Sequence, residues 1–190
     1  MPRIAPVTPI DVGDEPDAGT RVARTIGGIL HHRPAVAEAL REVSVALRTT
    51  GTLPRRLLEL ARLRIAFHNQ CRSCMAIRYT DAVEAGLNED LVCSLERPAD
   101  APDLTDAEKV AIRFGELFAT NHLAIDDALF DELRVHFTEG QIMELAMNVS
   151  LFVGVGRLGA VLHMVDELPE AFRSDGGTLA PWGNESIIVT

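Results

Sequence analysis

The segment from Gln141 to Met164 constrains this chain more than any other, because it is apolar nearly all round. Ile142, Leu145, Val149, Phe152, Val155, Leu158, Val161 and Leu162 recur along it at helical spacing. A helix without a polar face is either the central helix of a domain or part of an interface between subunits. Gly154, Gly156 and Gly159 weaken it in water but let another helix approach closely. With 190 residues, 47% of them hydrophobic, the chain suits one domain with a sizeable core. Its longest uncharged stretch, Leu145–Gly156, is too short to span a bilayer.

The helical period continues elsewhere. Val22, Ile26, Ile29 and Leu30 predict a short amphipathic helix. Pro34 opens a second, with Val36, Leu40, Val43 and Leu47 facing inward and Gly51 ending it. A third starts after Thr52 and Pro54 and runs to about Asn69, and a fourth runs from Cys71 to Gly86. Thr105 with Glu108, and Thr138 with Gln141, read as capping boxes. No alternating strand pattern stands out, so the expected fold is all-α. Residues 1–18, rich in proline and acid, are expected to form an extended arm. Residues 19–172 would be one helical domain, and 173–190 a Gly/Pro tail around Trp182, either incidental or an anchor on a neighbouring subunit. An internal likeness aligns Leu57–Phe67 with Ile142–Phe152 without gaps, as a duplicated helical unit would.

Charge narrows the function. Eighteen Lys and Arg against 28 Asp and Glu give a net charge of −10, without a basic block. Nucleic acid and anionic membrane surfaces are therefore not expected as partners. The first residues hold Arg3, Asp11 and several prolines rather than an apolar core, which is not a secretory pattern. Three cysteines are too few for a disulfide framework, and a reducing cytoplasm is the expected location.

The chemistry gathers at Glu59, Cys71-Arg-Ser-Cys74 and Arg78. Asn69 and Gln70 interrupt the preceding apolar run, which places Cys71 near a helix N-cap and Cys74 in the first turn. Cysteines three apart there can close a small disulfide ring, and the helix dipole with Arg72 and Arg78 would favour a thiolate. A thiolate attacks a peroxide or disulfide, and the second cysteine resolves the product. Half a zinc site and inert buried thiols share this spacing. A structural zinc needs four ligands, and only Cys93 and scattered histidines remain, so zinc is not expected. Glu59 also has a bland reading, as a solvated ion pair with Arg55 or Arg62.

Glu59 twelve residues before Cys71, the Cys-x-x-Cys, and Ala85-Gly-Leu87 together resemble the carboxymuconolactone decarboxylase/AhpD-like family, in its alkylhydroperoxidase D-like branch. The likeness extends over most of residues 35–165, including the helix start at Leu104–Glu108 and Phe137-Thr-Glu139. It implies an all-helical, oligomerising fold with a thiol-dependent peroxidase activity that uses no metal or flavin. Cys74 would form the sulfenic acid, Cys71 would donate a proton and close the disulfide, and Glu59 would belong to the proton relay. The family's histidine four residues after the second cysteine is Arg78 here, and Ser73 stands where a histidine often lies between the cysteines. Arginine cannot accept a proton, but it can pair with Glu59 and hold a thiolate. His68 is the nearest replacement base in sequence.

The leading expectation is thus a thiol oxidoreductase acting on a small peroxide or disulfide, recharged by a dithiol protein and assembled as a homo-oligomer. One alternative is a decarboxylase-like enzyme on a small carboxylated substrate, served by Arg78, His68 or His163. The other is a non-catalytic helical oligomerisation or thiol-sensing module.

Overall fold

The computed structural model describes residues 2–7, 17–173 and 176–189. Residues 8–16 of the expected arm and 174–175 of the expected tail lie outside these. Among the described residues the regular elements are helices except for two three-residue strands. In order come α1 (Ala18–Leu30), α2 (Pro34–Thr50), α3 (Arg55–Asn69), α4 (Arg72–Ala76), β1 (Ile77–Tyr79), α5 (Thr80–Glu84) and α6 (Glu89–Ser94). Then follow α7 (Asp106–Thr120), a 3-10 turn (His122–Ala124), α8 (Asp127–His136), α9 (Glu139–Leu162), α10 (Glu170–Arg173) and β2 (Ile187–Val189). Both capping boxes are present, Thr105 with Glu108 and Thr138 with Gln141, each satisfying donors that the helix start leaves open.

The central helix is α3, not α9. Every residue from Leu57 to Leu63 is buried, and the helix borders three apolar clusters. One joins it to α7, α8 and α9, the second packs Ala66 with α1, α4, α10 and the strands, and the third packs Leu60 and Leu63 with α5 to α7. By contrast α9 is buried on one side only, through Ile142, Leu145, Val149, Val153, Gly156 and Gly159. Met143, Met147, Leu158 and Val161 on its other side are exposed. At 24 residues it is long and apolar enough to cross a membrane by length and composition alone. Of the face expected to point inward from α2, Val36 and Val43 are exposed and Leu40 and Leu47 half-buried, and the helix has no buried residue. The aligned stretches 57–67 and 142–152 lie in α3 and α9, which pack together, but α3 stops at Asn69 while α9 runs on to Leu162.

The fourth expected helix is broken. After α4 the backbone turns extended at Ile77 (ψ 140°), and β1 pairs in parallel with β2. Two arginines take up the carbonyls that a continuous helix would have used internally. Arg62 donates to the oxygens of Cys74 and Ile77, and Arg78 donates to those of Met75 and Ile77. The described part of the tail docks on its own chain. Gln70 and Leu179 exchange hydrogen bonds at 3.0 Å, and Trp182 packs on Phe67 with ring centroids 4.9 Å apart. Neither sequence reading of Trp182 anticipates this intrachain seat. Arg3 N–H similarly bonds Leu162 O at 2.9 Å, tying residues 2–7 to the end of α9.

Candidate functional site

The preceding helix ends where the sequence requires. Gln70 caps α3 in the left-handed conformation (φ 50°), and Cys71 follows as the N-cap of α4. Cys74 N–H points at Cys71 Sγ, 3.4 Å away, so the first turn brings the two sulfurs together. They are joined as a disulfide, with the Cα atoms 5.2 Å apart. Cys71 is wholly buried, whereas Cys74 is half-buried and lines a cavity of about 320 Å3. Cys93 lies apart on α6, exposed and free.

The floor behind the cysteines is α9, approached through its glycines. A Cβ on Gly159 would sit 3.2 Å from Cys71 Sγ, and one on Gly156 would sit 2.6 Å from Asn69 Nδ2 and 3.9 Å from Cys74 Sγ. Gly156 and Gly159 therefore admit the disulfide turn, while Gly154 meets nothing within 4 Å.

Glu59 also lines the cavity, one buried turn of α3 from Arg62. Arg62 grips it bidentately, Nε to Oε2 at 2.6 Å and Nη2 to Oε1 at 2.7 Å. The i,i+3 partner was visible in the sequence, but the pair is buried rather than solvated. Since α3 has apolar residues on every side, Glu59 and Arg62 have no wet face to occupy. Burial disfavours the Arg62 charge, yet the Glu59 carboxylate outweighs it and raises the guanidinium pKa. With Nη1 on Cys74 O at 2.7 Å, Arg62 ties the carboxylate to the redox turn. Tyr79 completes this side, its ring 5.2 Å from the Arg62 guanidinium carbon and 5.6 Å from that of Arg48.

Four residues named from the sequence are elsewhere. Arg78 does not pair with Glu59 and does not line the cavity. The extended backbone at Ile77 carries it away, and its side chain, 2% exposed, bonds Glu89 at 3.1 and 3.2 Å and Pro181 O at 2.8 Å. Burial lowers its pKa, partly offset by Glu89. Arg72 reaches toward Gly177 O at 3.4 Å, on the tail side. His68 is no replacement base, because its position on α3 turns it toward α7. There Nε2 lies 3.1 Å from Glu116 Oε1. His163, in left-handed conformation (φ 53°), caps α9. Arg62 is the cation hydrogen-bonded to Cys74 O, and the dipole of the five-residue α4 is small. No cluster of three or more His, Cys, Asp or Glu that could hold a metal ion occurs among the described residues.

The site is thus a carboxylate–guanidinium pair on the central helix of a helical fold, set beside a Cys-x-x-Cys turn at a cavity. Residues 34–116 match the carboxymuconolactone decarboxylase family, and the resemblance read from Glu59, Cys71 and Cys74 holds over that segment. Two uncharacterized proteins of Mycobacterium tuberculosis, from strains CDC 1551 / Oshkosh and H37Rv, are each 34% identical over 129 aligned positions. These positions cover 64% of this chain and 44% of the relatives, so the chain spans under half the length of the curated relatives it matches. Among solved structures, the alkylhydroperoxidase AhpD core protein of Ralstonia eutropha JMP134, described as peroxidase-related, superposes with a TM-score of 0.62. The two chains are 19% identical, over 87% of this one and 96% of that one. The apo debrominase Bmp8 gives a TM-score of 0.65 at 18% identity, over 90% and 94%. At such identities these likenesses establish the fold.

Proposed function

We propose that the chain is a thiol oxidoreductase that reduces a small peroxide at Cys74. The observation that carries this reading is the division of labour in the disulfide, with Cys74 at the cavity and Cys71 sealed behind it. In the reduced protein, the Cys74 thiolate attacks the terminal oxygen of R–O–O–H. The O–O bond breaks, R–O⁻ leaves and takes a proton to become R–OH, and Cys74 becomes a sulfenic acid. The Cys71 thiolate then displaces the sulfenic oxygen, which departs as water once protonated, and the disulfide closes. A dithiol protein returns two electrons and two protons by exchange through a mixed disulfide. A small disulfide substrate would enter the same cycle by direct exchange at Cys74.

Glu59 and Arg62 hold the Cys74 backbone while the sulfur moves between bonded and free states. The proposal includes self-association through the uncovered faces of α2 and α9. The debrominase relative was crystallised with 2,3,4-tribromopyrrole, and a small ring is the size of molecule that a 320 Å3 cavity admits. The test is a thiol count on the reduced protein before and after one equivalent of cumene hydroperoxide. Loss of two titratable thiols, abolished in Cys74→Ser, is the expected result. An unchanged count, with Cys93 alone reacting, refutes the reading. The decarboxylase-like alternative draws on the name of the matched family. It requires proton release or carbon dioxide evolution that survives Cys74→Ser.

A further inference from the structure

Five ionisable side chains line the cavity: Arg48, Arg55, Arg62, Glu59 and Asp81. Deep in it, Glu59 and Arg62 neutralise each other through their bidentate bond. Nearer solvent, one carboxylate serves two guanidiniums. Asp81 Oδ2 lies 3.1 Å from Arg48 Nη2 and 3.4 Å from Arg55 Nε. Arg55 also donates to the backbone oxygen of Arg48, which draws the two side chains to one spot. Among the residues that line the cavity the formal balance is one positive charge, in a chain whose net charge is −10. Arg48 and Arg55 keep 47% and 30% of their side-chain surface, so this charge is both accessible and partly desolvated.

Most of the remaining wall is apolar, from Leu47, Leu58, Leu151, Phe152, Val155 and Met164, with Ser44, Ser73, Tyr79 and Asn148 interspersed. Cys74 also lines the cavity. α2 supplies Ser44, Leu47 and Arg48 to this cavity while burying none of its own residues in the core. The arginine–aspartate knot at the mouth joins α2 to α3 and α5.

We infer that the acceptor reduced at Cys74 is an amphipathic organic anion: an apolar ring or short chain bearing the peroxide, with a carboxylate held at Arg48 and Arg55. This rests on the thiol oxidoreductase reading and adds the substrate class to it. A guanidinium fork matches a carboxylate, and an anion seated there completes the charge balance that Asp81 leaves unfinished. A neutral acceptor would leave that charge unmet.

The binding test uses the oxidised protein and two unreactive ligands of one shape, 4-isopropylbenzoate and 4-isopropylbenzamide, in titration calorimetry. The benzoate binds about tenfold tighter or more, the effect of one partly screened charge-assisted contact, and added salt narrows the gap. Arg48→Gln/Arg55→Gln brings the ratio toward one. Asp81→Asn moves it the other way, by removing the competing carboxylate. Benzoate binding no better than the amide in the wild-type protein, undetectable binding of both included, overturns the inference without reference to any variant. The reactive arm compares the 4-carboxy derivative of cumene hydroperoxide with its methyl ester, and kcat/KM favours the acid. Selective benzoate binding with no thiol loss to either peroxide keeps the anion site and removes the redox reading. Equal thiol oxidation by both, with equal binding of benzoate and amide, removes the anion site and keeps the redox reading.

Discussion

Arg78 marks the largest gap between what its sequence position suggests and what its side chain does. Four residues after Cys74 in an unbroken helix it would stand beside the thiols, but the chain turns extended at Ile77 and the guanidinium becomes a structural tie. Arg78→Ala leaves the buried Met75 and Pro181 carbonyls without donors and should cost about 2–4 kcal/mol in urea unfolding. It should also loosen the Trp182 seat, seen as red-shifted, quenchable fluorescence, and Arg78→His should do the same without creating a working base. Unaltered stability and emission would show that the tie carries no load. The cysteine pair and Glu59 were legible because their chemistry is local, a matter of spacing within two adjacent helices. Arg62 was half legible. Its spacing from Glu59 is written in the chain, but its burial depends on what surrounds α3 and its grip on Cys74 O depends on a turn one helix later.

Individual helices could be read because their signals sit at their own ends, as the two capping boxes show. What each helix packs against could not, and α9 illustrates why. Its glycines are equivalent in the sequence and different in the fold. Gly159→Ala presses a methyl group on Cys71 and should cost about 1–3 kcal/mol. Gly154→Ala meets nothing within 4 Å and should add about 0.5–1 kcal/mol through helix propensity. Thermal unfolding of the two variants decides, and equal shifts would contradict the packing described. Between α3 and α7, the adjoining His68 and Arg64 hold the Glu116 carboxyl down at about 2, from a usual value of 4.5. Because the folded value is the lower one, this contribution is complete above pH 4.5 and disappears as pH falls toward 2. Glu116→Gln should flatten the pH dependence of unfolding free energy in that interval. A slope as steep as that of the unsubstituted protein would remove Glu116 from the account of acid sensitivity.

Across the whole molecule the unspent apolar surface is concentrated on α2 and α9. Light scattering at micromolar concentration should give a mass above that of one chain, and Leu158→Glu/Val161→Glu should lower it; a single-chain mass for the unsubstituted protein would remove self-association from the proposal. The all-helical class could be read from periodicity, whereas the β1–β2 pair could not, since each strand is three residues long and the partners lie 110 positions apart. That separation has a consequence for synthesis. When β1 leaves the ribosome its pairing edge does not yet exist, and at ordinary elongation rates it follows roughly 5–20 s later. For that interval Arg78 lacks the Pro181 oxygen, Gln70 lacks Leu179, and the Cys71–Cys74 turn is flanked by unpaired backbone. Nascent chains stalled before residue 179 should therefore expose both thiols to alkylation, and release past residue 189 should close off Cys71 first.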